Sequence, residues 1–254
     1  MIQTTEAVLL KKQDLRETSL FLTFYTRGFG KIYGVIKGAR GQKGQYCAVP
    51  QLFTLNEVVF YERKAKDVFT ISQCELKEFF GEIRENLEKT SYAVYFVELI
   101  NSLTPVCEKN EAMFQLLTNC LRLLSGSASP KRAARIFEIK LLFILGLMPQ
   151  VSNCAACGAV KLDKKVRFSF KNGGVLCEAC AAKEKDSVAI SIGTAHFIGH
   201  ISRSNWEMIP RIKVSSDVGR EVESLLRRFF NYHLHLKPKS LDFMRKTQMI
   251  ADER

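Results

Sequence analysis

Two cysteine pairs stand near the middle of the chain, Cys154-Ala155-Ala156-Cys157 and Cys177-Glu178-Ala179-Cys180, with nineteen residues between them. Thiolates so arranged can hold a metal that performs chemistry, hold a metal that only ties the fold, or cycle as a redox dithiol. Two C-x2-C turns aimed at one point match a tetrahedral four-cysteine zinc site, and Gly158 supplies the backbone freedom such a turn wants. A closed set of four thiolates leaves no coordination position for water, whereas catalytic zinc generally keeps one. The expectation is therefore one structural Zn2+ held by Cys154, Cys157, Cys177 and Cys180. A thioredoxin-like dithiol would be a single pair in a βαβ setting, which this segment lacks. The stretch from Lys164 to Val175 reads as a β-hairpin with Asn172-Gly173 at its tip.

Few other residues carry a catalytic signature. His196 and His200 lie four apart on a predicted helix, yet the glutamate of a zincin motif is missing, and they read as surface or capping histidines, as do His233 and His235. Neither a G-x-x-x-x-G-K-[ST] phosphate loop nor a G-x-S-x-G elbow is present, so neither a nucleotide hydrolase nor a serine hydrolase is supported. Cys47, Cys74, Cys107 and Cys120 are scattered among apolar neighbours and read as small buried hydrophobes.

Charge points to a polyanionic partner. The 38 lysines and arginines exceed the 26 acidic residues by 12, and the pI is about 9.4; nucleic acid or an anionic membrane face are the usual counterparts. Between Leu10 and Gly44 lie eight cations, Lys11, Lys12, Arg16, Arg27, Lys31, Lys37, Arg40 and Lys43, against only Asp14 and Glu17. These eight are the candidate nucleic-acid contacts. Phe21, Tyr25, Phe29, Tyr33 and Tyr46 stand among them as rings on which bases could stack, although the first four share one parity and some are expected to fill a core.

The elements that must position these groups divide in two. Ala7 to Leu10, Ser19 to Thr26, Lys31 to Lys37, Leu52 to Tyr61 and Val68 to Cys74 read as about five short strands, the count of a small closed barrel such as an OB-fold. The glycine-rich, basic stretch Gly38 to Gln45 reads as a mobile loop between the third and fourth. Beyond residue 78 apolar side chains recur three and four apart, predicting helices over Ile83 to Leu103, Glu111 to Leu124, Lys131 to Leu147, Gly193 to Arg203 and Asp217 to His233. On the third of these Arg132, Arg135 and Lys140 fall on the polar side. The predicted class is thus an α+β multidomain chain, an N-terminal OB-fold barrel over residues 1–79 and a helical domain over 80–254 with a zinc-binding insertion at about 151–186. Neither a membrane span nor a signal peptide is visible, and the protein is expected in the cytoplasm.

Several short motifs in this order resemble the bacterial RecO recombination mediators. They are Thr5-Glu6-Ala7-Val8-Leu9-Leu10; Gly30-Lys31-Ile32-Tyr33-Gly34-Val35 followed by Lys37-Gly38-Ala39-Arg40; a helix end with Glu138, Leu141, Leu142, Leu145, Gly146, Leu147 and Pro149 before C-x2-C-G; and Lys239-Ser240-Leu241-Asp242-Phe243. The resemblance spans nearly the whole chain. It implies a nucleoid-associated, non-catalytic DNA repair protein that binds single- and double-stranded DNA and anneals complementary strands. With RecR it would help load RecA onto strands coated by single-strand-binding protein (SSB), and it would bind the acidic, apolar C-terminal tail of that coating protein. Cations beside apolar residues could form the tail's pocket, either Arg132 and Arg135 with Leu142 or Lys239 and Arg245 with Leu241 and Phe243. Some members of the family lack the cysteines, which favours a structural metal. Two rival readings share the same residues: a zinc-dependent nucleic-acid-processing enzyme, and a zinc-ribbon RNA-processing or transcription factor.

Overall fold

The structure is a computed structural model and describes residues 1–39, 50–61, 68–126, 128–160, 165–241 and 243–244. Arg40, Lys43, Tyr46, Cys47, Arg245 and most of the basic loop therefore lie outside the described residues.

Five strands, β1 (Ile2–Leu15), β2 (Ser19–Thr26), β3 (Gly30–Ile36), β4 (Thr54–Tyr61) and β5 (Val68–Phe79), close into a barrel in the order β1-β2-β3-β5-β4. All pairs are antiparallel except β3 with β5. The pleat explains the closure: Leu20, Leu22 and Phe24 of β2, Ile32 and Ile36 of β3, Val58 and Phe60 of β4, and Phe69 and Ile71 of β5 all turn inward to one cluster. Each such side chain contributes roughly 1.5–3 kcal/mol when fully buried. At Gly34 an added Cβ would lie 2.7 Å from Ile71 Cδ1, so only glycine lets β3 approach β5 this closely. β1 pairs with β4 only as far as Val8, and after an irregularity between Leu9 and Lys11 it runs on beside β2 alone.

The chain then turns helical: α1 (Gly81–Arg84), α2 (Leu87–Leu103) and α3 (Glu111–Ser125). Asn86 and Asn110 cap α2 and α3, their side chains accepting from the backbone N–H of Lys89 and Met113. The β2–β3 end of the barrel docks on these helices. Lys31 Nζ donates to the Asn101 carbonyl at 2.7 Å, Cys107 N donates to the Lys31 carbonyl at 2.8 Å, and the Arg27 guanidinium lies 5.3 Å from the Phe114 ring centroid. Barrel and helices thus form one compact unit, Met1–Pro130, joined by the described residues from Pro238 on.

Lys131–Lys237 is a second compact unit. It holds most of α4 (Pro130–Ile144), a small sheet of order β7-β6-β8 made by β6 (Lys165–Ser169), β7 (Gly174–Leu176) and β8 (Val188–Ser191), then α5 (Glu178–Ala181), α6 (Ile192–Arg203) and α7 (Ser216–Leu234). Phe168 and Phe170 of the hairpin pack on Phe229 and Tyr232 of α7, with centroids 6.0 and 6.3 Å apart.

Three expectations are corrected. Arg135 is not on a polar face: it is 4% exposed, its Nη2 is 2.8 Å from Glu138 Oε1 and its Nη1 is 3.3 Å from Glu223 Oε2. Ala133 to Ile139 are buried on every side of α4, so a cation there survives only beside carboxylates. Cys107 is exposed, and its φ of 58° sets it in a turn instead of a core. Phe21, Tyr25 and Tyr33 do not fill the barrel, whose core takes the opposite parity of β2; Phe29 does pack against that core.

The docked turn depends on Gly30, whose φ is +64° and whose added Cβ would fall 1.8 Å from the Glu108 carbonyl oxygen. Gly30→Ala is expected to cost at least about 2 kcal/mol, from the left-handed backbone and the backbone clash together. Thermal or urea denaturation checks this, with Gly38→Ala as a control: Gly38 also has positive φ, but no described atom lies within 4 Å of its added Cβ.

Candidate metal centre and nucleic-acid interface

The cysteine cluster is built from two tight turns. In the first, Gly158 N donates to the Cys154 carbonyl and Cys154 N to the Ala159 carbonyl, both at 2.8 Å, with Gly158 at φ +78°. Ala155 N donates to the Val175 carbonyl at 2.7 Å, which ties this turn to β7. The second pair is set by α5, with Cys177 at its N-cap position and Cys180 within it. All four Sγ atoms lie within 4.8 Å of one another, and those of Cys157 and Cys177 are 3.7 Å apart. A disulfide would need ~2.0 Å. Thiolates around a tetrahedral ion at ~2.3 Å would sit ~3.8 Å apart, so the set fits a metal ion of closed coordination. Cys154 is buried, Cys157 exposed, and the other two half-buried.

The ionisation of the sulfurs agrees with a cation site. Burial pushes the Cys154 thiol up, but backbone N–H groups of Cys177, Cys157 and Ala156 outweigh it and bring it down to about 6. Cys180, sharing hydrogen bonds with Cys177 and Cys157, is pushed up to about 12. Four clustered thiols resist losing all their protons unless a dication compensates. Among the described residues no histidine joins this cluster.

The candidate nucleic-acid cations divide by their place on the barrel. Lys31 is withdrawn: it is 7% exposed, its ammonium is held by the Asn101 carbonyl, and burial lowers its pKa. The docking helices, not the strand pattern, bury it. Arg27, at the same end, pairs with Glu6 at 3.0 Å beside the Phe114 ring. Tyr25 is there too, fully buried; burial, and after it the Glu108 charge, push its phenol up to about 12. Lys11, Lys12, Arg16 and Lys37 are all exposed and gather toward the other end, where β1 runs on past the barrel and β3 leaves it.

Of the two sets expected to take an acidic tail, the first keeps only Arg132 partly in solvent. Arg132 Nη2 donates to the Ile209 and Pro210 carbonyls at 2.6 and 3.0 Å, Arg135 is ion-paired in the interior, and Leu142 is fully buried. Lys239 and Phe243 are exposed and Leu241 is half-buried, on a segment whose Lys239 and Ser240 N–H groups donate to the Glu98 carboxylate at 2.8 and 2.9 Å. A further site emerges in the second unit, a groove of about 960 Å³. Its apolar wall comes from Val151, Val160, Ile192 and Val218, and its rim carries His196, His200, Arg203 and Lys213, with no carboxylate among the described residues that line it. Glycines at 193 and 199 keep its floor low, since added Cβ atoms would meet Val218 at 3.3 Å and Val151 at 3.2 Å. The i, i+4, i+7 spacing of His196, His200 and Arg203 was the available signal in the sequence; the contribution of Lys213, from another segment, had none.

A five-stranded closed barrel of this order, followed by helices and a four-cysteine element, defines an α+β protein with an OB-like N-terminal domain. No described helix is long and apolar enough to cross a membrane. Residues 1–80 match the family model "Recombination protein O N terminal" and residues 84–242 the model "Recombination protein O C terminal". The chain belongs to the RecO family of DNA repair proteins. It is 35% identical to the DNA repair protein RecO of Desulforamulus reducens over 96% of this chain and 94% of the relative. The proteins of that name from Caldicellulosiruptor saccharolyticus and Acetivibrio thermocellus are 32% and 31% identical, over 94% and 97% of this chain and 96% and 97% of theirs.

The centre is expected to bind about one equivalent of a thiophilic divalent metal. Cys154→Ser should lower that stoichiometry and the Tm by roughly 5–10 °C, consistent with a loss of a few kcal/mol. Elemental analysis and calorimetry check it; equal folding of metal-free and metal-loaded protein would refute it.

Proposed function

We propose that this chain is a non-catalytic recombination mediator that binds single- and double-stranded DNA through the barrel and anneals complementary strands. In this reading it acts with RecR to place RecA on SSB-coated single strands, at the nucleoid. The observation that carries the DNA-binding part is the gathering of exposed Lys11, Lys12, Arg16 and Lys37 on one end of an OB-like barrel, in a chain of net charge +12. Such cations neutralise phosphates and release counterions, which needs no base readout and suits a protein that handles any sequence. Arg40 and Lys43 follow Lys37 directly in the chain and extend the same positive stretch.

The metal in this reading is a single structural Zn2+ that clasps the β6–β7 hairpin; it supplies folding free energy and no reaction. The acidic, apolar tail of SSB is assigned to the groove of the second unit. Apolar tail side chains would enter between Ile192 and Val218 while Arg203, Lys213 and the two histidines face the acidic groups. That assignment replaces the set of half-buried Arg132 with buried Arg135 and Leu142, and Lys239, Leu241 and Phe243 remain a surface for another contact.

Simultaneous change of Lys11, Lys12 and Lys37 to Glu is expected to weaken both single-strand and duplex binding at least tenfold. At about 0.7 counterions per single-strand contact, the slope of log K against log salt should become shallower by about 2. Fluorescence anisotropy across a salt series measures both, and annealing of coated strands should fall in parallel; unchanged affinity would remove the site from the barrel. Separately, Arg203→Glu with Lys213→Glu should abolish binding of an acidic-apolar tail peptide while leaving DNA affinity within about twofold, because each retained charge on the barrel still meets its phosphate. Tail binding that survives the double reversal would exclude the groove.

A further inference from the structure

The outer surface of β2 and β3 carries a pair of rings that neither the barrel core nor the docked helices use. Phe21 and Tyr33 lie on adjacent strands as diagonal neighbours, since Phe21 faces Val35 and Thr23 faces Tyr33 across the ladder. Their ring centroids are 5.6 Å apart and their planes 30° from parallel, an offset stack. Both are half-buried, whereas Tyr25 on the same face is fully covered. Each of the two residues thus keeps part of its surface in solvent.

The surroundings identify what could lie on them. Across the ladder, Lys11 opposes Thr23 and Gln13 opposes Phe21 on one side, while Val68 opposes Tyr33 and Thr70 opposes Val35 on the other. Exposed Lys37 directly follows the end of β3, and exposed Arg16 stands in the turn after β1. A flat aromatic surface of about two rings, set among lysines, matches a flat apolar ligand joined to a polyanion. Unpaired nucleobases are of that kind, since every base offers a π-face and carries its phosphate alongside. A duplex hides those faces in its own stack and presents only backbone and groove edges.

We propose that Phe21 and Tyr33 form a stacking platform for unpaired bases and are the element by which the barrel prefers single strands to duplex. Lysines hold either form of DNA, and the rings reward only the one whose bases are free. This rests on the barrel being the DNA-binding surface, as proposed above. The pair would also favour annealing: a strand held by one or two stacked bases keeps the remaining bases available for pairing, and pairing removes the stacked ones from the rings.

The test measures affinity of the full chain for an oligo-dT, the same length of oligomer with abasic sites, and a duplex. Phe21→Leu with Tyr33→Leu should weaken oligo-dT binding roughly 5- to 100-fold, the effect of losing one stacked base. Duplex affinity and the salt slope should not move. The penalty for abasic sites, present in the wild type, should vanish in the variant, and Tyr33→Phe should behave as the wild type. Should the leucines loosen the sheet, Tyr33→Thr, a β-branched residue at home in a strand, repeats the comparison. Equal loss for single strand and duplex, or no loss for either, overturns the platform. Failure of the underlying site is a different result, in which the triple lysine reversal leaves all three affinities unchanged.

Discussion

The clamp between the β2–β3 turn and α2–α3 decides what the barrel can do. A small barrel has an entire outer surface on which to bind, and a basic chain has cations all around it. Docking one end removes part of that surface and assigns the charges there to internal work. Lys31 becomes a donor to the Asn101 carbonyl, Arg27 settles between Glu6 and Phe114, and Tyr25 is covered with its phenol held protonated. The contact is close enough to demand glycine at residue 30, because the Glu108 carbonyl occupies the space of a side chain. With that end docked, Lys31 and Tyr25 are withdrawn, while the cations of the opposite end and part of the Phe21–Tyr33 pair stay in solvent.

Net charge alone therefore overstates the binding surface. A lysine contributes to phosphate affinity only if its ammonium stays hydrated until the phosphate arrives. Burial lowers the pKa of Lys31 and gives it a protein carbonyl in exchange, so it acts as a structural hydrogen-bond donor. Arg135 shows the same principle in the second unit, where two carboxylates hold an arginine with almost no contact with solvent. Polarity in sequence is not the same property as availability in the fold.

This difference explains which features were legible beforehand. The strands and helices followed from local periodicity, and the cysteine cluster from spacing that only a common ligand would require; both are short-range properties of the chain. The β-hairpin tip at Asn172-Gly173 was readable for the same reason, and Gly173 has φ of +68°. The fates of Phe21, Tyr25 and Tyr33 were not. Alternation puts all three on one face of the barrel, but whether that face is covered depends on α2 and α3, which begin at Leu87 and Glu111, far along the chain. The groove was illegible on similar grounds: its basic rim draws His196, His200 and Arg203 from one helix and Lys213 from the segment before the next.

The metal centre and the groove share a wall, which gives the cysteines a consequence beyond the hairpin they tie. Val151 and Ser152 precede Cys154 by three and two residues, Val160 follows Cys157 by three, and all three line the groove. The hairpin in turn packs on α7 through Phe168 and Phe170, and α7 begins at the groove's other side with Ser215 as its cap and Val218 in its wall. Outside the groove lining, burial raises the pKa of the Glu221 carboxylate, but the bonds it accepts from the Ser191 N–H and hydroxyl and from Thr194 outweigh that and hold it below the usual carboxylate range. α6 and α7 are thereby fixed to each other by a charged hydrogen-bond cluster. The first cysteine turn is tied to β7 by the backbone bond from Ala155 N to the Val175 carbonyl. Closure of the four thiolates around one ion would add a constraint on that turn, and so on the groove residues beside it.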